Sequence, residues 1–494
     1  MDDRQPLLDR PPYGMIAILF VGAFIAVLNN TLLNIALPTI MKDFNITYSK
    51  VQWVTTGYML VSGVLIPASA FFITRFKTKG LYITAMAIFT AGTVLAALSP
   101  NFGTLLAGRM IQAAGASVMS PLLMNVMLKS FPIEKRGAAM GTFGLVLFVA
   151  PAIGPTLSGY IIQSHDWRML FEMIVPFAVI SLLLSVWKLE NILDTRHVKL
   201  DYLSLVLSTV GFGGLLYGFS SAGDKGWSSP IVYGMIAVGA VGLVLFILRQ
   251  LRMKEPMLQM RVYKYPMFAL ASAISMILSM AMFAGMILTP AYVQSVRGIS
   301  PLNAGLMLLP GALVMAIMSP ITGRLFDKFG PKILAITGLV ITAVATYFLT
   351  QLEVDSTYTF IISIYTIRMF GISLVMMPIM TNGLNQLPQE LNPHATAVNN
   401  TAQQVAGAIG TAILITIMDK HIVTRATELA ATAKEKAIQA GAAMSPDQVA
   451  AMKAQITQTA LLDGINYTFM VATGITILAL VLSFFLKRSK PFGK

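Results

Sequence analysis

Met15 to Leu37 reads MIAILFVGAFIAVLNNTLLNIAL, 23 residues without a charge. About 20 mainly apolar residues suffice to cross a bilayer as a helix. This stretch therefore reads as a membrane span, and its three amides, Asn29, Asn30 and Asn34, stand out within it. The rest of the chain agrees. Of 494 residues, 56% are hydrophobic and 11% charged, against roughly 45–50% and about 25% in ordinary soluble domains. That balance excludes a cytosolic enzyme and also disorder, which needs few apolar residues and many charges. There is no cysteine, which excludes a disulfide scaffold and a thiolate zinc site. The net charge of +14 points to basic loops facing a cytoplasm and anionic lipid rather than to nucleic acid. Residues 1–14 hold three Asp and three Pro, so they make no cleavable signal peptide. The first span acts as its own insertion signal.

Scanning for further spans predicts fourteen: 15–37, 51–73, 81–99, 104–124, 138–162, 169–187, 202–221, 231–248, 267–290, 303–323, 333–351, 358–383, 395–418 and 464–486. The expected fold class is an all-α polytopic membrane protein. An even number of spans puts both termini on one side. The connecting segments on that side carry 23 of the 35 Lys and Arg, and the opposite short loops carry five. Positive loops stay inside, so both termini are expected in the cytoplasm. Trp53, Trp167 and Trp227 then fall at outer span ends and Trp187 at an inner one, as in an interfacial aromatic belt. Segment 419–463 is rich in Ala, Lys, Glu and Gln. It is expected to form two short helices outside the membrane, broken near Gly441–Ser445, as a solvated spacer or a lid.

The chain also repeats itself. Pro67 precedes Thr74-Arg75 by seven residues, as Pro320 precedes Asp327-Lys328. Arg109-Met110 begins a run reaching Pro121 and Asn125; Arg368-Met369 begins one reaching Pro378 and Asn382. Ala150-Pro-Ala-Ile-Gly154 answers Ala406-Gly-Ala-Ile-Gly410. Matching spans run in the same direction, so the repeats are parallel. The expected organisation is a cytoplasmic N-terminus (1–14), a six-helix half (15–200), two inserted spans with a basic loop (201–266), a second six-helix half (267–486) and a cytoplasmic C-terminus (487–494). Two such halves imply a central site opening alternately to each side, which is a transporter.

Glu172 is the only acid of the chain's 21 inside a predicted span. An intramembrane carboxyl is a functional hypothesis by default. Half-buried, it could take and release a proton; paired with Arg168, it would be merely interfacial. Arg109 and Arg368 occupy matching repeat positions and must face protein or cavity, because lipid would not accept them. Gln112 lies one turn from Arg109. With Asn29, Asn30, Asn34 and Arg368 it is a candidate for the wall of a substrate cavity. Gly154, Pro155 and Gly159 give span 5 a small face along which helices can slide. In Gly323-Arg-Leu-Phe-Asp327-Lys-Phe-Gly330-Pro-Lys332, Asp327 is placed to bond orphan amides at a helix start or pair with a base. Such a bond would lock one conformation. No nucleotide-binding Gly-x-x-x-x-Gly-Lys-Ser/Thr run, zinc-binding His-Glu-x-x-His or clustered metal ligand occurs. No cofactor is expected, and transport is expected to draw on an ion gradient.

These motifs together resemble the fourteen-span drug:proton antiporters of the major facilitator superfamily, the QacA/EmrB type. Leu28-Asn-Asn-Thr-Leu-Leu-Asn34-Ile-Ala-Leu-Pro38 is similar to that family's span-1 signature. Arg109-Met-Ile-Gln112-Ala-Ala-Gly115 is similar to its span-4 motif, 150–159 to its antiporter motif, and 323–332 to its second-half loop motif. The stretches around Gln52-Trp53 and Glu134-Lys135 resemble the Gram-positive lincomycin-exporter (LmrB-like) branch most. The resemblance implies the major facilitator fold, with two six-helix parallel repeats, two inserted helices and 14 transmembrane helices. It implies a multidrug efflux transporter, not an enzyme, in a bacterial cell membrane, moving amphipathic compounds against protons as a monomer. The chain departs from the pattern on its coupling residues. Asn29 stands where the signature has Asp, Thr74 and Lys77 where the first-half loop motif has Asp and Gly, and Glu172 where span 6 is apolar. Glu172, Arg109 and Asp327 are the coupling candidates. A lipid or fatty-acid exporter or flippase of the same fold remains open, as does, from another class, a membrane receptor or membrane-embedded enzyme.

Overall fold

The computed structural model describes residues 12–46, 48–51, 53–132, 135–196, 201–254, 256–439 and 446–489. The described residues form α-helices joined by short turns. In order these are α1 (Tyr13–Asp43), α2 (Tyr48–Val51), α3 (Trp53–Arg75), α4 (Thr78–Ala97), α5 (Phe102–Ser130) and α6 (Arg136–Ser164). Then come α7 (Met169–Glu172), α8 (Ile174–Lys188), α9 (Tyr202–Lys225), α10 (Pro230–Arg252), α11 (Pro266–Ala291) and α12 (Pro301–Phe329). The series ends with α13 (Pro331–Phe348), α14 (Tyr358–Ser373), α15 (Met376–Asn385), α16 (Asn392–Gln439) and α17 (Pro446–Ser483). Among the described residues, thirteen helical segments are long and apolar enough to cross a membrane, and Pro266–Met282 is a shorter apolar one.

Local chemistry sets the helix ends. Asn101 Oδ1 accepts the Thr104 amide at 3.0 Å to start α5. Thr357 Oγ1 accepts the Phe360 amide at 3.3 Å to start α14. Gly330, at φ +80°, ends α12 in a conformation only glycine adopts cheaply, and Pro331 opens α13 at once.

Small residues set the packing. A Cβ on Gly92 of α4 would sit 2.7 Å from the Gly108 carbonyl oxygen of α5. In the second half a Cβ on Gly338 of α13 would sit 2.5 Å from that of Gly371 on α14. Gly154 of α6 presses on Thr31 of α1, and Gly410 of α16 presses on Met280 of α11. Such backbone approach is how helices associate where lipid competes for apolar contact. The halves meet through two repeat-related seams, α6 on α12 and α3 on α16. The inserted α9 and α10 mesh through Gly211, Gly214, Gly239 and Gly242, and α9 lies against both α3 and α16.

Four sequence expectations change here. Span 6 is broken at Met173 into α7 and α8. Span 12 is broken at Leu374–Val375, where Pro378 clashes with the carbonyl four residues back. Trp167 is buried and donates to Asp43 Oδ2 at 3.1 Å instead of sitting in an interfacial belt. The segment 419–463 does not form separate helices: α16 runs on for 48 residues and α17 for 38. At 1.5 Å per residue α16 is about 72 Å long, more than twice the hydrocarbon thickness of about 30 Å. The charged residues from Asp419 onward end the apolar run, but no Gly or Pro interrupts the backbone between Gly410 and Gln439. The two projecting arms are tied by Arg425 Nε to Asp463 Oδ2 at 2.7 Å. The expected break near Gly441–Ser445 lies outside the described residues.

Candidate functional site: two buried arginines and a cross-half cap

Arg109 on α5 is fully buried. Its Nη1 donates to Asn29 Oδ1 at 2.7 Å and to Gln112 Oε1 at 2.8 Å. Its Nη2 donates to Asn30 Oδ1 at 3.2 Å and its Nε to the Val54 carbonyl at 3.5 Å. The guanidinium lies 4.3 Å from the centre of the Tyr58 ring, a cation–π contact that offsets part of its desolvation. Gln112 passes the network on to Thr93 Oγ1 at 2.8 Å. Four neutral acceptors thus hold one charge between α1, α3 and α5. Asn29 and Gln112 were expected to line an open cavity. They are sealed, at 1% and 0% exposure, and face the arginine instead. The Asn34 side chain lies outside the described residues. Tyr58 and Thr93 were not singled out from sequence; only their helical spacing from Val54 and Phe89 could have suggested a shared face.

Arg368 on α14 occupies the repeat-related place and is also buried. Its Nε donates to Thr346 Oγ1 at 3.2 Å and its Nη2 to the Ala281 carbonyl at 2.8 Å. Thr346 is Thr93 displaced by the 253 residues that separate Pro67 from Pro320. The position matching Gln112 is Gly371, so here the arginine reaches the threonine directly. Its Nη1 is buried without an acceptor.

The third feature joins the halves. Asp327, near the end of α12, accepts the Gly137 amide through Oδ1 and the Ala138 amide through Oδ2, each at 3.2 Å. It caps the first turn of α6 across the molecule, where the helix dipole and orphan amides favour a carboxylate. The bond to orphan amides at a helix start, expected of Asp327 from sequence, is therefore present in geometry. Gly323 makes room for it: a Cβ there would lie 2.1 Å from the Gly137 carbonyl oxygen. Ser319 Oγ donates to the Gly141 carbonyl one turn further on. Arg196 pairs with Glu390 at 2.7 Å, also across the halves. Pro155 and Gly159 meet Gly305 and Leu302 at the far end of the same seam. Lys332 is exposed and takes no part.

Glu172 does not match its expectation. Its side chain is exposed, not half-buried. Arg168, its expected partner, pairs with Asp43 at 3.2 Å and Asp166 at 3.3 Å instead.

Two repeated helical halves, joined by tight seams and enclosing buried charge, define a polytopic membrane transporter. The chain belongs to the Major Facilitator Superfamily, whose family model matches residues 19–411. It is 46% identical to the uncharacterized MFS-type transporter YhcA of Bacillus subtilis, over 97% of this chain and 93% of that one. It is 44% identical to the lincomycin resistance protein LmrB of the same organism, over 96% of each. The tetracenomycin C resistance and export protein of Streptomyces glaucescens is 24% identical over 97% of this chain and 92% of its own. Among solved structures, the human organic anion transporter MFSD10 aligns with TM-score 0.66 at 13% identity, over 97% of this chain and all of that one. The proton:xylose symporter XylE aligns at 0.63, also at 13% identity, over 97% of this chain and 96% of its own. At such identity these two share the fold alone.

Proposed function

We propose that the chain is a secondary active exporter of small amphipathic compounds, antibiotics among them, working by alternating access and driven by protons. The observation that carries this reading is the Asp327 cap on α6. It is a charged bond between two rigid halves at one end of the molecule, and it must break for that end to open. The lincomycin and tetracenomycin resistance relatives supply the substrate class. The loop charges favour both termini, and hence the Asp327 end, in the cytoplasm. The protein acts as a monomer in the bacterial cell membrane.

Coupling is assigned to Asp327 in preference to Glu172. Protonation of Asp327 removes the charge that holds the α6 amides, so proton binding and opening are linked at one group. Exposed Glu172 offers no such link. Arg109 orders the amide cluster of α1 and α5 and needs no titration of its own. Energised inside-out vesicles test the reading. Uphill lincomycin uptake that collapses with a protonophore supports it. Lipid scrambling without uphill movement would point to a flippase, and neither activity would remove the exporter reading.

A further inference from the structure

We propose that Arg368 is the docking point for an oxyanion on the transported compound, so that the exporter takes amphipathic acids. The proposal rests on the exporter reading above. It begins from the donor inventory of the two buried arginines. A guanidinium carries five N–H donors in a planar fork. Arg109 engages each of its three nitrogens. Arg368 engages only Nε and Nη2, and among the described residues its buried Nη1 has no acceptor. An unpartnered guanidinium nitrogen is a charged donor that a carboxylate or sulfonate oxygen can take.

The charge is unmatched as well. Among the described residues, the groups facing Arg368 are the Ala281 carbonyl and Gly285 of α11, Thr346 of α13 and the buried Tyr365 on its own helix. None is an acid, and among the described residues no ion pair reaches either Arg109 or Arg368. A buried charge without a counter-charge is costly, and an arriving anion recovers that cost. A neutral carbonyl would fill the donors but leave the charge uncompensated, which is why the chemistry favours an oxyanion.

Gly285 shows how the arrangement is accommodated. A Cβ there would stand 2.2 Å from Nη1 and 2.7 Å from Cζ. The glycine notch lets the fork lie flush against the α11 backbone, where any side chain would displace it. Arg368 is sealed in this conformation, so docking belongs to the state in which the halves part.

The test uses vesicles holding the full chain and two probes, anilinonaphthalene sulfonate and lincomycin. Wild type is expected to move both uphill. Arg368→Gln should lose sulfonate movement by about ten- to a hundred-fold relative to its lincomycin movement, the equivalent of one charged hydrogen bond. Arg368→Lys, with the charge but without the fork, should fall between. If the Gln variant does not insert, sulfonate binding to the purified Lys variant decides: weakened binding supports the site, and unchanged binding overturns it. Equal loss of both probes in Arg368→Gln makes the arginine structural and overturns the proposal. Wild-type transport of lincomycin alone overturns it too, with the exporter reading intact. No uphill movement of either probe overturns both.

Discussion

The α6/α12 and α3/α16 seams are related by the internal repeat, yet they are built differently. At the first, Asp327 caps two amides of α6. At the second, the residue in Asp327's place is Thr74, whose hydroxyl turns back to its own helix and donates to the Ala70 carbonyl at 2.8 Å. The donor side has changed too. The 256-residue offset between the Ala150 and Ala406 runs pairs Gly137 with Pro393, and proline has no N–H to give. The carboxylate and one of the two donors are missing, so a two-amide cap cannot form there. The inserted α9 covers this seam instead, with Leu216 seated in the notch at Gly63, where a Cβ would lie 2.2 Å from Leu216 Cδ1. The two arginines diverge in the same way: Arg109 is fully engaged and Arg368 half so. Duplication preserved the helix framework, and the chemistry on it became one-sided.

The comparison of the arginines breaks most visibly on alanine substitution. Arg109→Ala strands the buried amide oxygens of Asn29 and Gln112, each worth about 1–3 kcal/mol when unpaired, and the half-buried one of Asn30. It should abolish export and lower the melting temperature more than Arg368→Ala does. Arg109→Lys should restore little, since an ammonium cannot span Asn29, Asn30 and Gln112 together. Equal melting losses for both alanine variants would end the contrast. Next in size, adding Asp and an N–H at the second seam, by Thr74→Asp with Pro393→Gly, should build a second cap. A cap of this kind contributes about 0.5–2 kcal/mol, so export should slow while thermal stability rises. Faster export in this double variant would mean that the second seam needs no cap to stay closed. A smaller effect is expected at Glu172. Glu172→Gln should export at close to the wild-type rate with its pH dependence intact, and loss of proton-driven uptake would return coupling to that carboxyl.

The smallest effect belongs to Asp201, which fastens the start of α9 to the end of α10. Its carboxylate accepts from Arg249 Nε at 2.7 Å and Nη2 at 3.0 Å, and chiefly that bond holds its pKa down to about 2. A depressed carboxylate contributes stability above its unfolded value of about 3.9 and loses it as pH falls toward the folded one. The pair is therefore intact throughout pH 5–8. Asp201→Asn should leave the pH profile of export unchanged over that range.

Much of this was legible from residues alone. Apolar run length gave the spans, and the Pro67/Pro320 and Arg109/Arg368 correspondences gave the two halves, because bilayer thickness and duplication leave marks that need no tertiary context. Asp327 as a helix-start cap was legible because a carboxylate beside Gly323 and Gly330 at a helix end has few other uses, but that the capped helix lies in the other half was not. What stayed hidden depends on distance in space. Tyr58 under Arg109, Gly285 under Arg368 and Gly137 opposite Asp327 become neighbours only when helices far apart in sequence pack. Exposure misled at Glu172, since position along a span does not say whether a side chain faces protein or the outside. Helix in the arms of α16 and α17 was legible from their Ala, Lys, Glu and Gln, but not that it continues the spans without a break.

The central claim is that one carboxylate, Asp327, holds its end of the molecule shut. Phe76 and Phe329 are exposed, repeat-related positions at that end, one on each half. Spin labels on Phe76→Cys and Phe329→Cys in this cysteine-free chain report its width directly. With Asp327 intact, the distance distribution should be dominated by one short population. Asp327→Asn should move the balance toward a longer population by about 1.5–3 kcal/mol, the worth of a charged hydrogen bond. An unchanged distribution in Asp327→Asn would contradict the account.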